Sequence, residues 1–197
     1  MKREYENKSK YEIGCYEVTG AYLSYHSAME YYGLQNQVFN RVYLSSPKWF
    51  KMFEYDFVEY WHAPDKFRDG VVKDAARDIY YTDLERTIID CIDRLDLAGG
   101  YEELYYNFEL IDEVEESRLL FYLELYNKQA LYQRAGLFLS MQSQMKLSTR
   151  FFDVCQARKG THTNHLTDKG ESRVYIPEWK LYVPQYLLNM ANPVRLY

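Results

Sequence analysis

The sequence predicts an α+β fold, a short mixed β-sheet with a central block of α-helices. Strand-like stretches lie before residue 82 and return after residue 172, whereas helix-period apolar patterns fill the middle. Strand and helix nowhere alternate regularly, and such segregation favours α+β over a doubly wound α/β sheet.

Taken in order, the first ten residues, MKREYENKSK, are polar and charged and read as a loose leader. Residues 1–20 form that leader or the remnant of a lost N-terminal domain, 21–190 a single domain, and 191–197 a tail. Ser24 is placed to cap a helix running to Tyr32, with Gly33 as its stop. Strands follow at Arg41–Ser45, ended by Pro47, and over the aromatic-rich Lys51–Trp61, ended before Pro64. Asp78–Tyr81 is a further short strand.

Thr82 and Glu85 then spell a T-x-x-E capping box. Leu84, Ile88, Cys91, Ile92 and Leu95 share one face of the helix Thr82–Leu95. On this pattern Arg86, Asp90, Asp93 and Arg94 occupy the polar side. Gly99 and Gly100 end the run. Tyr101–Tyr126 is again helical, with acids at Asp112–Glu116 that suit a helix dipole. Helices at Lys128–Met141 and Thr149–Lys159 follow, the second capped by Ser148 and stopped by Gly160. Arg173–Tyr175 and Glu178–Val183 revert to strand, separated by Pro177 and closed by Pro184.

A chain of 197 residues with 47% apolar and 27% charged residues can bury a sizeable core. The 22 tyrosines suit half-buried surfaces and interfaces. Three widely spaced cysteines, Cys15, Cys91 and Cys155, do not form a disulfide framework. No leader peptide and no bilayer-length apolar run is visible, so the expectation is a cytoplasmic protein without a membrane partner. Net charge is −5, unevenly spread: residues 96–126 carry nine acids and one base, and residues 127–197 ten bases and four acids. Overall acidity does not suit a stand-alone nucleic-acid binder. The basic last third can face phosphate or an acidic partner, or neutralise an opposite face within the fold.

No phosphate loop, G-x-G-x-x-G, G-x-S-x-G or H-E-x-x-H occurs. Cys155, His162, His165 and Asp168 are zinc-ligand types, but their spacing matches no familiar zinc module and no metal or other cofactor is expected. Asp168 with Glu178 and Lys180 on a strand fits an acid followed by E-x-K, an arrangement that holds Mg²⁺ in metal-dependent nucleases; an ordinary solvated strand accounts for it equally well. The polar run Asp83, Glu85, Arg86, Thr87, Asp90, Asp93 and Arg94 is a candidate contact surface. Capping and the Arg86/Asp90 pairing at i,i+4 also explain several of its members as fold maintenance.

Five segments, YLSYHSAMEYYGL (22–34), VYLSSP (42–47), TDLERTIIDCIDRLDLAGGYEEL (82–104), YNKQALYQRAGLFLS (126–140) and LSTRFFDVCQARKG (147–160), together resemble the AbiEi family of bacterial antitoxins. The most specific string is D-x-E-R-T-x-x-D-x-x-D-R…L-A-G-G-x-E-E. The resemblance runs from about Ala21 to Leu188. It implies an AbiEi C-terminal-domain-like fold and the antitoxin role in a two-gene, type IV abortive-infection system. There the antitoxin counters an AbiEii nucleotidyltransferase toxin without necessarily forming a stable complex with it. Asp83, Glu85, Arg86, Thr87, Asp90, Asp93 and Arg94 match the signature, with Ser24, Ser27 and Arg134 as secondary positions. Family members usually carry an N-terminal winged helix-turn-helix that represses their own operon. Only a possible remnant, KYEIGCYEVTG, stands in its place here, so DNA is not an expected partner. The expected activity is non-catalytic contact. A nuclease built on Asp168, Glu178 and Lys180, and a DNA-binding repressor, are the alternatives.

Overall fold

Within residues 1–20, expected as a leader or a domain remnant, residues 10–17 form a helix that packs into the core. The computed structural model describes residues 5–166 and 172–191. Ser9 and Glu12 make a reciprocal capping box, with Ser9 N–H donating to Glu12 Oε2 at 2.8 Å and Glu12 N–H to Ser9 Oγ at 3.3 Å. This starts α1 (Lys10–Glu17). Its buried residues are Ile13 and Gly14. A Cβ at Gly14 would lie 3.0–3.1 Å from Leu44 and Tyr60, so the missing side chain lets the helix lie close on the sheet. The apolar signal was weak because a glycine carries half of it.

The chain forms two compact units, Met1–Leu110 and Ile111–Tyr197, where one domain over 21–190 was expected. The first holds a six-stranded mixed sheet, in order β3-β4-β2-β1-β6-β5. Its strands are β1 (Tyr22–Leu23), β2 (Arg41–Ser45), β3 (Phe53–Tyr55), β4 (Val58–Ala63), β5 (Val71–Asp74) and β6 (Ile79–Thr82). The pairs β1–β6 and β2–β4 are parallel, and the rest, including the central β1–β2, antiparallel. Val42, Leu44, Tyr60 and Ile79 join Ile13, Leu23 and Ala28 in the core on one face.

The predicted strand Lys51–Trp61 is a hairpin. Asp56 and Phe57 turn it with φ of 50° and 64°, as a two-residue primed turn requires. Asp-Phe carries no glycine to announce that turn. Ser24 does not cap α2 (His26–Tyr31): Tyr25 precedes the helix at φ 53°, and Ser24 Oγ instead meets Ser45 Oγ at 2.9 Å. Gly33 stops α2 as expected, at φ 76°. Gly33 N–H donates to Glu30 O, and Leu34 N–H to Met29 O, the Schellman pair.

The cap of α3 (Leu84–Asp93) is one residue later than predicted. Thr82 is held in β6 opposite Val71, so Asp83 caps and accepts from Arg86 N–H at 2.9 Å. After a 3-10 turn at Leu95–Leu97 comes α4 (Gly100–Glu109). The predicted helix over 101–126 is broken. Residues 111–115 are non-helical, and a new helix, α5, spans Glu116–Tyr126. In one continuous helix Glu109, Asp112, Glu113 and Glu116 would repel one another at i,i+3 and i,i+4 spacing.

The second unit continues with α6 (Gln129–Ser140) and α7 (Thr149–Arg158). Ser148 caps α7 as predicted, and the Glu116 carboxylate accepts from its N–H and hydroxyl, each at 2.7 Å. A three-stranded sheet of order β7-β9-β8 follows, from β7 (Asn164–His165), β8 (Arg173–Ile176) and β9 (Leu181–Pro184). Trp179, 1% exposed, lies against α6 where Gly136 leaves room: a Cβ there would come within 2.1 Å of the indole. Helix α8 (Gln185–Ala191) directly follows β9, where no helix was predicted. Most of the expected tail, residues 192–197, lies outside the described residues.

Candidate functional site

Arg86 and Asp90, expected on a solvated face, are buried at 1% exposure each. The Arg86 guanidinium donates through Nε to Asp90 Oδ2 at 3.3 Å and to the carbonyls of Phe67 and Asp69 at 2.7 and 2.5 Å. It also donates to the Tyr22 hydroxyl at 3.2 Å, and Tyr22 in turn donates to Asp65 at 2.7 Å. Its Cζ lies over the Phe67 ring, 4.3 Å from the centroid. A planar fork of donors suits such a convergence of carbonyls. Arg86 thereby ties the loop after β4 to β1 and α3. Thr87 is fully buried and donates to Asp83 O at 2.7 Å.

The other signature residues are nearer solvent. Asp93 pairs with Lys66, and Arg94 with Asp96 at 2.6 Å. Glu85 is half-buried. The signature is therefore mostly architecture, because the tertiary fold supplies polar partners on the side of α3 that periodicity assigns to water. Ser27 is likewise structural, its Oγ accepting Tyr43 N–H at 2.8 Å. Arg134 lies half-buried on α6, in the second unit.

A second buried polar cluster centres on Glu103, in the Gly-Gly-Tyr-Glu-Glu string. Its carboxylate accepts the N–H groups of Asn36 and Gln37 at 3.1 and 3.0 Å and lies 3.3 Å from His26 Nε2. Burial of the imidazole lowers the His26 pKa, and the contact with Glu103 opposes this. The cluster anchors the loop between α2 and β2.

That loop walls an open cleft of about 510 Å³ on the sheet face opposite α1. Leu44 and Tyr60 face the helix, so alternation turns Tyr43, Arg41, Glu59 and Trp61 the other way. Arg41 donates to Glu59 Oε2 through Nη2 and Nε at 2.9 and 3.1 Å, and stacks 4.8 Å from the Trp61 ring. Trp61 Nε1 donates to the same oxygen at 3.0 Å. The hydrogen bonds from Trp61 and then Arg41 hold the Glu59 carboxyl below its ordinary pKa. Glu54 stands opposite Glu59 in the β3–β4 register. Phe39, Asn40, Asp96 and Gly99 complete the walls.

Phe57 sits at the cleft's hairpin rim, 82% exposed. A bulky residue at positive φ is uncommon and points to a role outside the fold. Trp49, Met52 and Trp61 are exposed on the same stretch of chain, at 74%, 41% and 38%. Large exposed apolar groups gathered in this way mark contact surfaces. The aromatic-rich run of 51–61 was expected as one longer strand. The turn at Asp56–Phe57 is what exposes it.

Cys155 is fully buried in α7, and burial pushes its thiol up to about 12. His162 is exposed, and His165 stacks on Tyr182. Asp168 lies outside the described residues. Among the described residues no group of three or more His, Cys, Asp or Glu side chains is placed to hold a metal ion. Glu178 and Lys180, expected on a strand, lie in the turn before β9. Lys180 there has φ 51° and its Nζ donates to Gly160 O at 3.2 Å.

No family model matches the chain, and no curated protein does. Among solved structures, the fold is similar to the crystal structure of the Rv2827c protein from Mycobacterium tuberculosis. The TM-score is 0.63 at 16% sequence identity, over 88% of this chain and 66% of the other, so this chain spans just under two thirds of that protein's length. Among the described residues no helix is long and apolar enough to cross a membrane.

Proposed function

We propose that the chain is the antitoxin or regulatory component of a bacterial abortive-infection system. It counters a cytoplasmic nucleotidyltransferase toxin of the AbiEii type by contact and not by catalysis. The observation that carries this reading is the cleft rimmed by Phe57 and lined by Arg41, Tyr43 and Glu59. An exposed aromatic anchor beside a small set of oriented charges is how protein contact surfaces concentrate their binding energy. Glu54 and Glu59 favour a positively charged side chain on the partner. The resemblance over residues 21–188 supplies the partner class, and the buried signature maintains the scaffold.

The test is growth rescue in cells that express the cognate AbiEii-type nucleotidyltransferase toxin. The wild-type chain restores growth, and Phe57→Gly and Glu59→Lys reduce rescue. Glycine suits the left-handed turn position, so Phe57→Gly keeps or raises the melting temperature. Failure of the wild-type chain to rescue refutes the antitoxin reading. Full rescue by both variants refutes the cleft as the contact.

A further inference from the structure

The sheet of the second unit has one covered face and one open face. Leu181 and Val183 of β9 are fully buried, so Tyr182 between them projects from the other side. The register sets His165 of β7 and Tyr175 of β8 beside it. These three rings form one row across three strands. His165 and Tyr182 stack with centroids 4.8 Å apart and planes 10° from parallel, and Tyr175 follows at 5.0 Å and 42°. Tyr175 and Tyr182 are 39% and 36% exposed, and His165 is exposed as well.

A cation borders the row. Arg173 is two residues from Tyr175 on the same strand face, and its Nη1 lies 2.9 Å from His165 Nδ1. Farther along, Lys159 at the end of α7 donates through Nζ to Glu178 O, and Lys180 Nζ donates to Gly160 O. In these contacts both ammonium groups bond neutral carbonyls, and Glu178 is the one acid in the β8–β9 turn. The chain from residue 127 onward carries ten bases against four acids.

We infer that this open face binds single-stranded nucleic acid. Unpaired bases extend the Tyr175–Tyr182–His165 stack, while Arg173 beside it meets the phosphates. Every base offers a π-face, so a ring row combined with a cation holds a strand without demanding a sequence. An acidic peptide would use the cation and leave the rings unmatched. A duplex would use the cation and offer no free base face. The inference rests on the second unit and does not depend on the antitoxin reading.

Fluorescence anisotropy of labelled twelve-residue oligouridine, oligothymidine and a duplex of equal length tests it on the full chain. Both single strands bind, more tightly than the duplex, and affinity falls as salt rises. Tyr182→Phe retains binding because the ring remains. Tyr182→Leu, which keeps apolar bulk without a π-face, weakens it about 5- to 150-fold, the range of one lost base stack. Tyr106→Ala, an exposed ring on α4, leaves it unchanged. Uridine and thymidine strands of equal affinity mean that rings and phosphates suffice, whereas a preference for either strand type identifies the natural ligand within the proposed class. Absence of single-strand binding, binding unaffected by Tyr182→Leu, or equal or tighter duplex binding overturns the inference.

Discussion

Replacing Arg86 by alanine should unfold much of the first unit's stability, although the residue sits at a charged position of an amphipathic helix. The substitution leaves the Asp90 carboxylate at 1% exposure without its cation. It also orphans the carbonyls of Phe67 and Asp69 and removes a donor to Tyr22. Removing one partner of a buried ion pair costs about 3–5 kcal/mol. In a unit of this size that lowers Tm by roughly 10–20 °C. An exposed pair would give about 0–1 kcal/mol, so the two expectations are well separated. Thermal and urea unfolding of the variant decide between them. A double variant, Arg86→Met with Asp90→Leu, should recover part of the loss, because no charge is left buried while the two carbonyls remain unmatched. Stability of Arg86→Ala within 1 kcal/mol of the parent would refute the buried-network reasoning.

Two other perturbations have equally specific outcomes. The His26 pKa is lowered in the fold from 6.5, chiefly by burial, so the unfolded chain takes up the proton more readily. The associated stability is present above about pH 6.5 and declines as pH falls through that value toward the lower folded pKa. Carboxylates with lowered pKa such as Glu12, Asp74 and Asp96 start from 4.5 or below and act at lower pH. Urea midpoints between pH 7.5 and 5 therefore isolate the imidazole. His26→Gln should flatten that slope, and an unchanged slope would remove His26 as its source. Gly136→Ala should cost about 1–3 kcal/mol through overpacking against Trp179, with Trp179→Leu in the same chain relieving the clash. Calorimetry showing no loss in the single variant would mean that the indole has another place to lie.

Several local instructions can be read directly from the chain. Ser148 caps α7, Gly33 ends α2 and Gly160 follows α7 because each acts through neighbours within a few residues. The apolar period of α3 is equally local, and Ile88, Cys91 and Ile92 are buried as it requires. Long-range partners decided the rest. Glycine at position 14 became core because Leu44 and Tyr60 lie across from it, and Thr82 gave up the cap because β5 claims it as a strand residue. Asp56 and Phe57 adopt positive φ because strand pairing closes the hairpin around them.

The polar residues of α3 mark the boundary most clearly. Periodicity sorts side chains by their affinity for water, and by that criterion Arg86 and Asp90 belong outside. A sequence pattern cannot show that Phe67, Asp69 and Tyr22 bring three oxygen acceptors to one guanidinium. Once they do, a buried charge is satisfied and the sorting rule no longer applies. The α+β class, the main helices and the uneven charge were thus determined by composition and local period. The cleft of Arg41, Glu59 and Phe57 was decided by strand register together with the Asp56–Phe57 turn, and the ring row of Tyr175, Tyr182 and His165 by strand register. Each joins residues that are distant along the chain, and only pairing fixes which of them share a face.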